Sequence, residues 1–210
     1  MQERTDAEAK ADERAAHRLG AFSDGVVAIA ITLLAIELPV PTGSDVGAFW
    51  ASARSNTGDY SAFLLSFVVI AAAWSNHHEL FRHIVRDDAP LRRFNIAWLF
   101  TIVLNPFATK LLAGAHKESL DIHALNFSFY ALLQLLSSAA LIAILYYIVS
   151  HELAPEIPAS VVARLTRSPL SLMLGFGISI PLFFATNFAW ILWFIIPMLS
   201  YISRRVRRRQ

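Results

Sequence analysis

The chain has no cysteine, which excludes disulfide bonds and thiolate-held metals. Charge is scarce as well: Asp, Glu, Lys and Arg make up 16% of its 210 residues, where a soluble domain carries about 25%. The apolar share of 56% is too high for a disordered chain, and with a mean hydropathy of +0.49 it points to a small polytopic membrane protein. Residues 1–18 lack the apolar core of a signal peptide. They hold five acidic and four basic residues between Glu3 and Arg18 and read as a solvated cytoplasmic head.

Other absences narrow the function. No Thr-Val-Gly-Tyr-Gly-like stretch offers a carbonyl-lined filter, and no span carries the regularly spaced arginines of a voltage sensor. There is no phosphate loop, no Gly-rich dinucleotide turn, and no internal repeat. No pair of carboxylates sits in mid-membrane, and no nucleophile or metal-ligand spacing marks an enzyme. The segment Trp74-Ser75-Asn76-His77-His78-Glu79-Leu80-Phe81-Arg82-His83 invites a metal-site reading. However, His78 and His83 lie five apart, about 140° round a helix, and share no face. No cofactor and no nucleic-acid partner are expected.

What the chain does have is long apolar runs. A spanning helix needs about 20 mostly apolar residues, and the sequence predicts an all-α protein with six spans, approximately 19–38, 60–82, 94–113, 124–150, 168–186 and 187–203. Pro39 and Pro41 stop the first. Residues 42–59 read as a loop with room for one short helix. Ser168–Ser203 is free of charge for 36 residues, about 54 Å as one helix, so two spans folded back near Thr186-Asn187 fit better. Together residues 19–203 form the membrane domain, and 204–210 form a basic tail.

The basic residues give an independent count. With six spans and both termini cytoplasmic, fifteen of the eighteen Lys and Arg residues fall on the cytoplasmic side, leaving only Arg54, Lys110 and Lys117 opposite. The tail arginines, Arg204 to Arg209, serve as topology determinants or contact anionic lipid. Lys110 is expected to snorkel to the interface.

The exception to this charge segregation is Asp24, about one turn inside the first span. Arg18 lies about 240° away on the same helix and cannot pair with it along one face. Its partners must therefore come from neighbouring helices, with His77 or His78 at matching depth and Asn95 and Trp98 near them. Pattern alone leaves open whether Asp24 is a packing clamp or meets a passing ion. Further along, Gly25, Ile29, Thr32, Leu33 and Ile36 share one arc, but the rest of the helix is apolar too, so periodicity does not say which side faces what.

The string Arg18-x-x-x-Phe22-Ser23-Asp24, continuing Gly25-Val-Val-Ala-Ile29-Ala-Ile-Thr32-Leu33-Leu34, resembles the signature of the prokaryotic relatives of the lysosomal potassium channel, the transmembrane protein 175 family. Trp74…His77-His78, Asn95…Trp98 and Asn105-Pro106-Phe107 are similar to that family as well. The resemblance covers the first three spans by motif and the last three only by length and hydropathy. It implies a homotetrameric cation channel of the cell membrane, not an enzyme, with six spans per subunit and no re-entrant filter loop. Its first helix would line the pore, with Ile29 as the constriction, Leu33 and Ile36 as further apolar rings, and Thr32 as a hydroxyl ring. Arg18, Phe22, Ser23 and Asp24 would form a hydrogen-bond network with His77, His78, Asn95 and Trp98. Potassium and other monovalent cations would permeate, potassium modestly preferred over sodium. The rival readings are a small proton- or cation-coupled secondary transporter using Asp24 and His77, an intramembrane enzyme, and an accessory subunit.

Overall fold

A computed structural model describes residues 2–114, 120–183 and Trp193. Every element among them is helical: α1 (Gln2–Ile36), α2 (Val46–Ser55), α3 (Thr57–Phe81), α4 (Ala89–Val103), α5 (Asn105–Gly114), α6 (Leu120–Ser150) and α7 (Ala159–Phe183). Lys10–Ile36, Thr57–Phe81, Ala89–Gly114 and Asp121–Ser150 are long and apolar enough to cross a bilayer. The end of the expected fifth span, the sixth span at 187–203 with its turn, and the basic tail at 204–210 lie outside the described residues apart from Trp193.

α1 runs for 35 residues without a break, from the charged head directly into the apolar run. It closes on a tight last turn, Leu38 N–H to the Ala35 carbonyl at 3.3 Å, just before Pro39 and Pro41. α2 is the short helix of the following loop. Asp45 caps it by accepting from Ala48 N–H at 2.8 Å, and none of its residues is buried.

The third span is two helices, not one. α4 begins under an Asp88 cap that accepts from Leu91 N–H at 2.8 Å, with Pro90 in the first turn, where its missing N–H costs nothing. It breaks at Leu104, because Pro106 has no N–H to bond the Ile102 carbonyl. Asn105 answers the break from the side, its Nδ2 donating to the Thr101 carbonyl at 2.9 Å. The helix then resumes as α5.

α7 starts at Ala159, nine residues before the charge-free run that defined the expected span. A helix begins where its backbone is capped, not where charge ends, so Arg164 and Arg167 ride on its first turns. Arg164 Nη2 reaches Glu79 Oε1 on α3 at 2.8 Å. Pro169 and Pro181 are accommodated inside α7.

Two apolar clusters hold the bundle. One gathers Val27, Ala30 and Leu34 of α1 with Ile70, Leu80, Leu91, Trp98 and Ile102, and with Leu141, Ile144 and Ile148 of α6. The other packs Phe127 and Tyr130 of α6 against Phe176 and Phe183 of α7 and against Trp193. At one end of the bundle, Tyr147 Oη donates to Asp88 Oδ2 at 2.7 Å and Val85 N–H to the Leu153 carbonyl at 3.0 Å, which ties the start of α4 to the end of α6.

Candidate functional site

α1 has two faces, and the structure tells them apart where the sequence does not. Ala16, Ser23, Val27, Ala30 and Leu34 recur at helical spacing and are all buried against α3, α4 and α5. Most of these side chains are small, so the neighbouring backbones come close. The opposite stripe is open: Ile29 is 61% exposed, Leu33 43% and Ile36 75%, with Gly25 and Thr32 exposed on the same side.

The buried face is pinned by a polar chain. Ser23 Oγ donates to the Leu19 carbonyl of its own helix at 2.9 Å, and so accepts at 2.9 Å from Nδ2 of the buried Asn95 on α4. That fixes the Asn95 amide, leaving Oδ1 to accept from His77 Nε2 of α3 at 2.8 Å. The imidazole is held on both faces, stacked on Phe81 with ring centroids 3.9 Å apart and on Trp98 at 4.1 Å. Three helices are thus joined by a run of donors that all point one way and end on a backbone carbonyl. A backbone carbonyl accepts a hydrogen bond and has no proton to hand on, so the run of donors stops there, and it links α1, α4 and α3.

Asp24 sits beside the chain with partners of its own. Trp74 Nε1 donates to Asp24 Oδ1 at 2.8 Å, and His78 Nδ1 lies 3.3 Å from Oδ2. The two histidines therefore divide: His77 serves Asn95, and His78 serves Asp24. Trp74 is the residue the sequence reading gave no role. An indole N–H at the depth of a membrane carboxylate was the available signal, because such an acid seeks every donor in reach.

Three expected members of the network stand differently. Arg18 is exposed and makes no hydrogen bond or ion pair among the described residues, where the Ser23 oxygen already accepts from Asn95 and Asp24 is occupied from α3. Phe22 is exposed and has no hydrogen-bonding group, so it belongs to the open stripe. Trp98 contributes a stacking face, while its buried Nε1 and the His77 Nδ1 have no hydrogen-bond partner among the described residues.

On the open stripe, Thr32 Oγ1 donates to the Ile29 carbonyl at 2.8 Å. Its proton is spent within the helix, so it presents only oxygen lone pairs outward. The far end of α1 is tied down by Tyr60 Oη, which donates to the Pro39 carbonyl at 2.9 Å, and by Glu37 Oε2, 2.6 Å from Lys110 Nζ of α5. Lys110 is thus ion-paired rather than simply snorkelling.

A second buried polar group lies under the α4–α5 break. Gln134 Nε2 of α6 donates to Asn105 Oδ1 at 2.7 Å, Thr109 Oγ1 lies 2.7 Å from both the Asn105 carbonyl and Ser66 Oγ, and Ser66 reaches Tyr130 Oη at 3.1 Å. No group of three or more His, Asp or Glu that would hold a metal occurs among the described residues.

The sequence model described as "Endosomal/lysosomal potassium channel TMEM175" matches residues 18–106, which carry α1 to the α4–α5 break and hence every residue of the clamp. A potassium channel of Streptomyces collinus is 33% identical over 172 residues, spanning 80% of this chain and 82% of that protein. A potassium channel of a Chryseobacterium species is 38% identical over 99 residues, 47% of this chain and 50% of its own length. Among solved structures, the lysosomal potassium-selective channel TMEM175 homolog from Chamaesiphon minutus superposes with a TM-score of 0.72 at 28% identity, covering 92% of this chain and 98% of that one.

Proposed function

We propose that this chain, which belongs to the TMEM175 family of ion channels, is a potassium channel of the cell membrane in which four copies surround a pore lined by α1. The carrying observation is the division of α1 into a face clamped by Ser23, Asn95 and His77 and an open apolar face running from Gly25 to Ile36. The clamp leaves that stripe uncovered in one chain, and four stripes facing one axis give rings of Ile29, Leu33 and Ile36 with Thr32 between them. An apolar ring gates by excluding water and passes an ion only as it sheds hydration. Potassium holds its water less tightly than sodium, so a narrow waist at Ile29 favours it, with lone pairs from Thr32 near the constriction to offset part of the loss. With no carbonyl ladder in this scheme, discrimination is modest. The 15-to-3 division of basic residues supports both termini lying in the cytoplasm.

Reconstitution into liposomes tests the reading. Potassium flux is expected to exceed sodium flux and to rise with ion concentration, as in a channel. Ile29→Asn should keep conduction and reduce the preference several-fold. Equal fluxes in the parent, or flux that saturates at carrier rates, overturn it.

A further inference from the structure

Glu37 stands one residue beyond the last helical residue of α1. It is exposed and lies just past Ile36, at the edge of the open stripe that faces α5. A carboxylate there, repeated by four copies, is a ring of negative charge at the mouth of a cation path. The structure does not leave it bare. Lys110 reaches across from α5 to within 2.6 Å, and both side chains remain more than half exposed, at 54% and 58%. Asp59, in the first turn of α3, lines the same small crevice with Leu34, Phe63 and Thr109. Two flexible, solvated side chains held together add little to stability. Their electrostatic effect is larger, because an adjacent opposite charge cancels the field of Glu37 along the approach to the pore.

We propose that Lys110 sets the charge of the outer pore mouth by neutralising Glu37, and so limits how strongly extracellular cations are concentrated there. Lys110 is a positioning residue, since it acts through Glu37 and touches no permeating ion. The inference rests on the pore reading above, because only if α1 lines the pore is Glu37 at its mouth. Local cation enrichment by fixed charge follows the screening length, about 30 Å at 0.01 M salt and about 3 Å at 1 M.

Currents through the full-length channel in planar bilayers separate the possibilities. With dilute KCl on the outer side, Lys110→Met bares the carboxylates and should raise inward current about two-fold or more. Glu37→Gln bares the lysines and should lower it by a similar factor. The double variant should return to the parent level, and all four proteins should agree at about 1 M KCl, where the charges are screened. The opposite signs of the single variants keep the test decisive if either fails to assemble. A change of equal size in dilute and concentrated salt, or none in either variant, overturns the proposal. Ile29→Asn in the same bilayers reads the constriction separately: unaltered selectivity there removes the pore reading and this proposal with it, whereas altered selectivity with salt-insensitive ion-pair variants removes this proposal alone.

Discussion

Asn95 occupies the middle of a three-residue chain, accepting from His77 and donating to Ser23, so its loss takes a partner from both neighbours. Asn95→Leu keeps the branched four-atom side chain and leaves the His77 Nε2–H without an acceptor in a buried site. The expected cost is about 1–3 kcal/mol, read as a lower melting temperature of the detergent-purified channel, with His78→Ala shifting it far less because His78 stands at a partly exposed edge. Equal shifts for the two variants would show that the buried chain is not the clamp. At this scale the sequence was partly legible. An aspartate inside an apolar span demands partners, and depth pointed to His78, one of the two that meet it, but not to Trp74. Which histidine meets which acceptor was not legible, because His77 and His78 are adjacent and only the rotation of α3 separates them by about 100°. Arg18 entered the network only through the family resemblance; it is exposed, and Asp24 is met instead by Trp74 and His78 of α3.

Among the elements, α1 and α6 show why apolar periodicity fails inside a bilayer. Val27, Ala30 and Leu34 on one face of α1 and Ile29, Leu33 and Ile36 on the other are all apolar, and lipid, pore and neighbour all accept such residues. The difference lies mainly in size: Ser23 and Ala30 face the bundle, whereas Ile29 and Ile36 do not. Helix existence was legible from run length, while the end of α4 was visible only as the Asn105-Pro106 pair and the start of α7 was hidden by the arginines on its second and third turns. The α4–α5 break makes its own prediction. Asn105 serves the Thr101 carbonyl and the Gln134 amide together. Asn105→Leu should therefore destabilise the channel by about 1–2 kcal/mol, measured by thermal unfolding. Gln134→Leu in the same background should add little, since its amide partner is already gone. Full additivity of the two would show that they do not act as a pair.

For the whole molecule, the uncovered stripe on α1 demands company. One chain presents Phe22, Ile29, Leu33 and Ile36 to the outside on the helix that its own polar clamp holds most firmly. The purified channel is expected to elute with a protein mass of four times 23.4 kDa by light scattering corrected for detergent, and a monomeric mass would contradict the four-fold pore. That the chain is helical and belongs in a membrane was legible at this scale from its apolar runs alone. Oligomeric order was not, because a stripe facing lipid and a stripe facing three copies of itself are built from the same side chains.

The unbroken length of α1 has a mechanical meaning. The helix is fixed to its neighbours at Ser23 and extends from there about 32 Å to Gln2 but only about 9 Å to Ile29. Beyond Ile36 the same segment is tied again, by Tyr60 at Pro39 and by Lys110 at Glu37, so Ile29, Leu33 and Ile36 are carried on a beam braced at both ends.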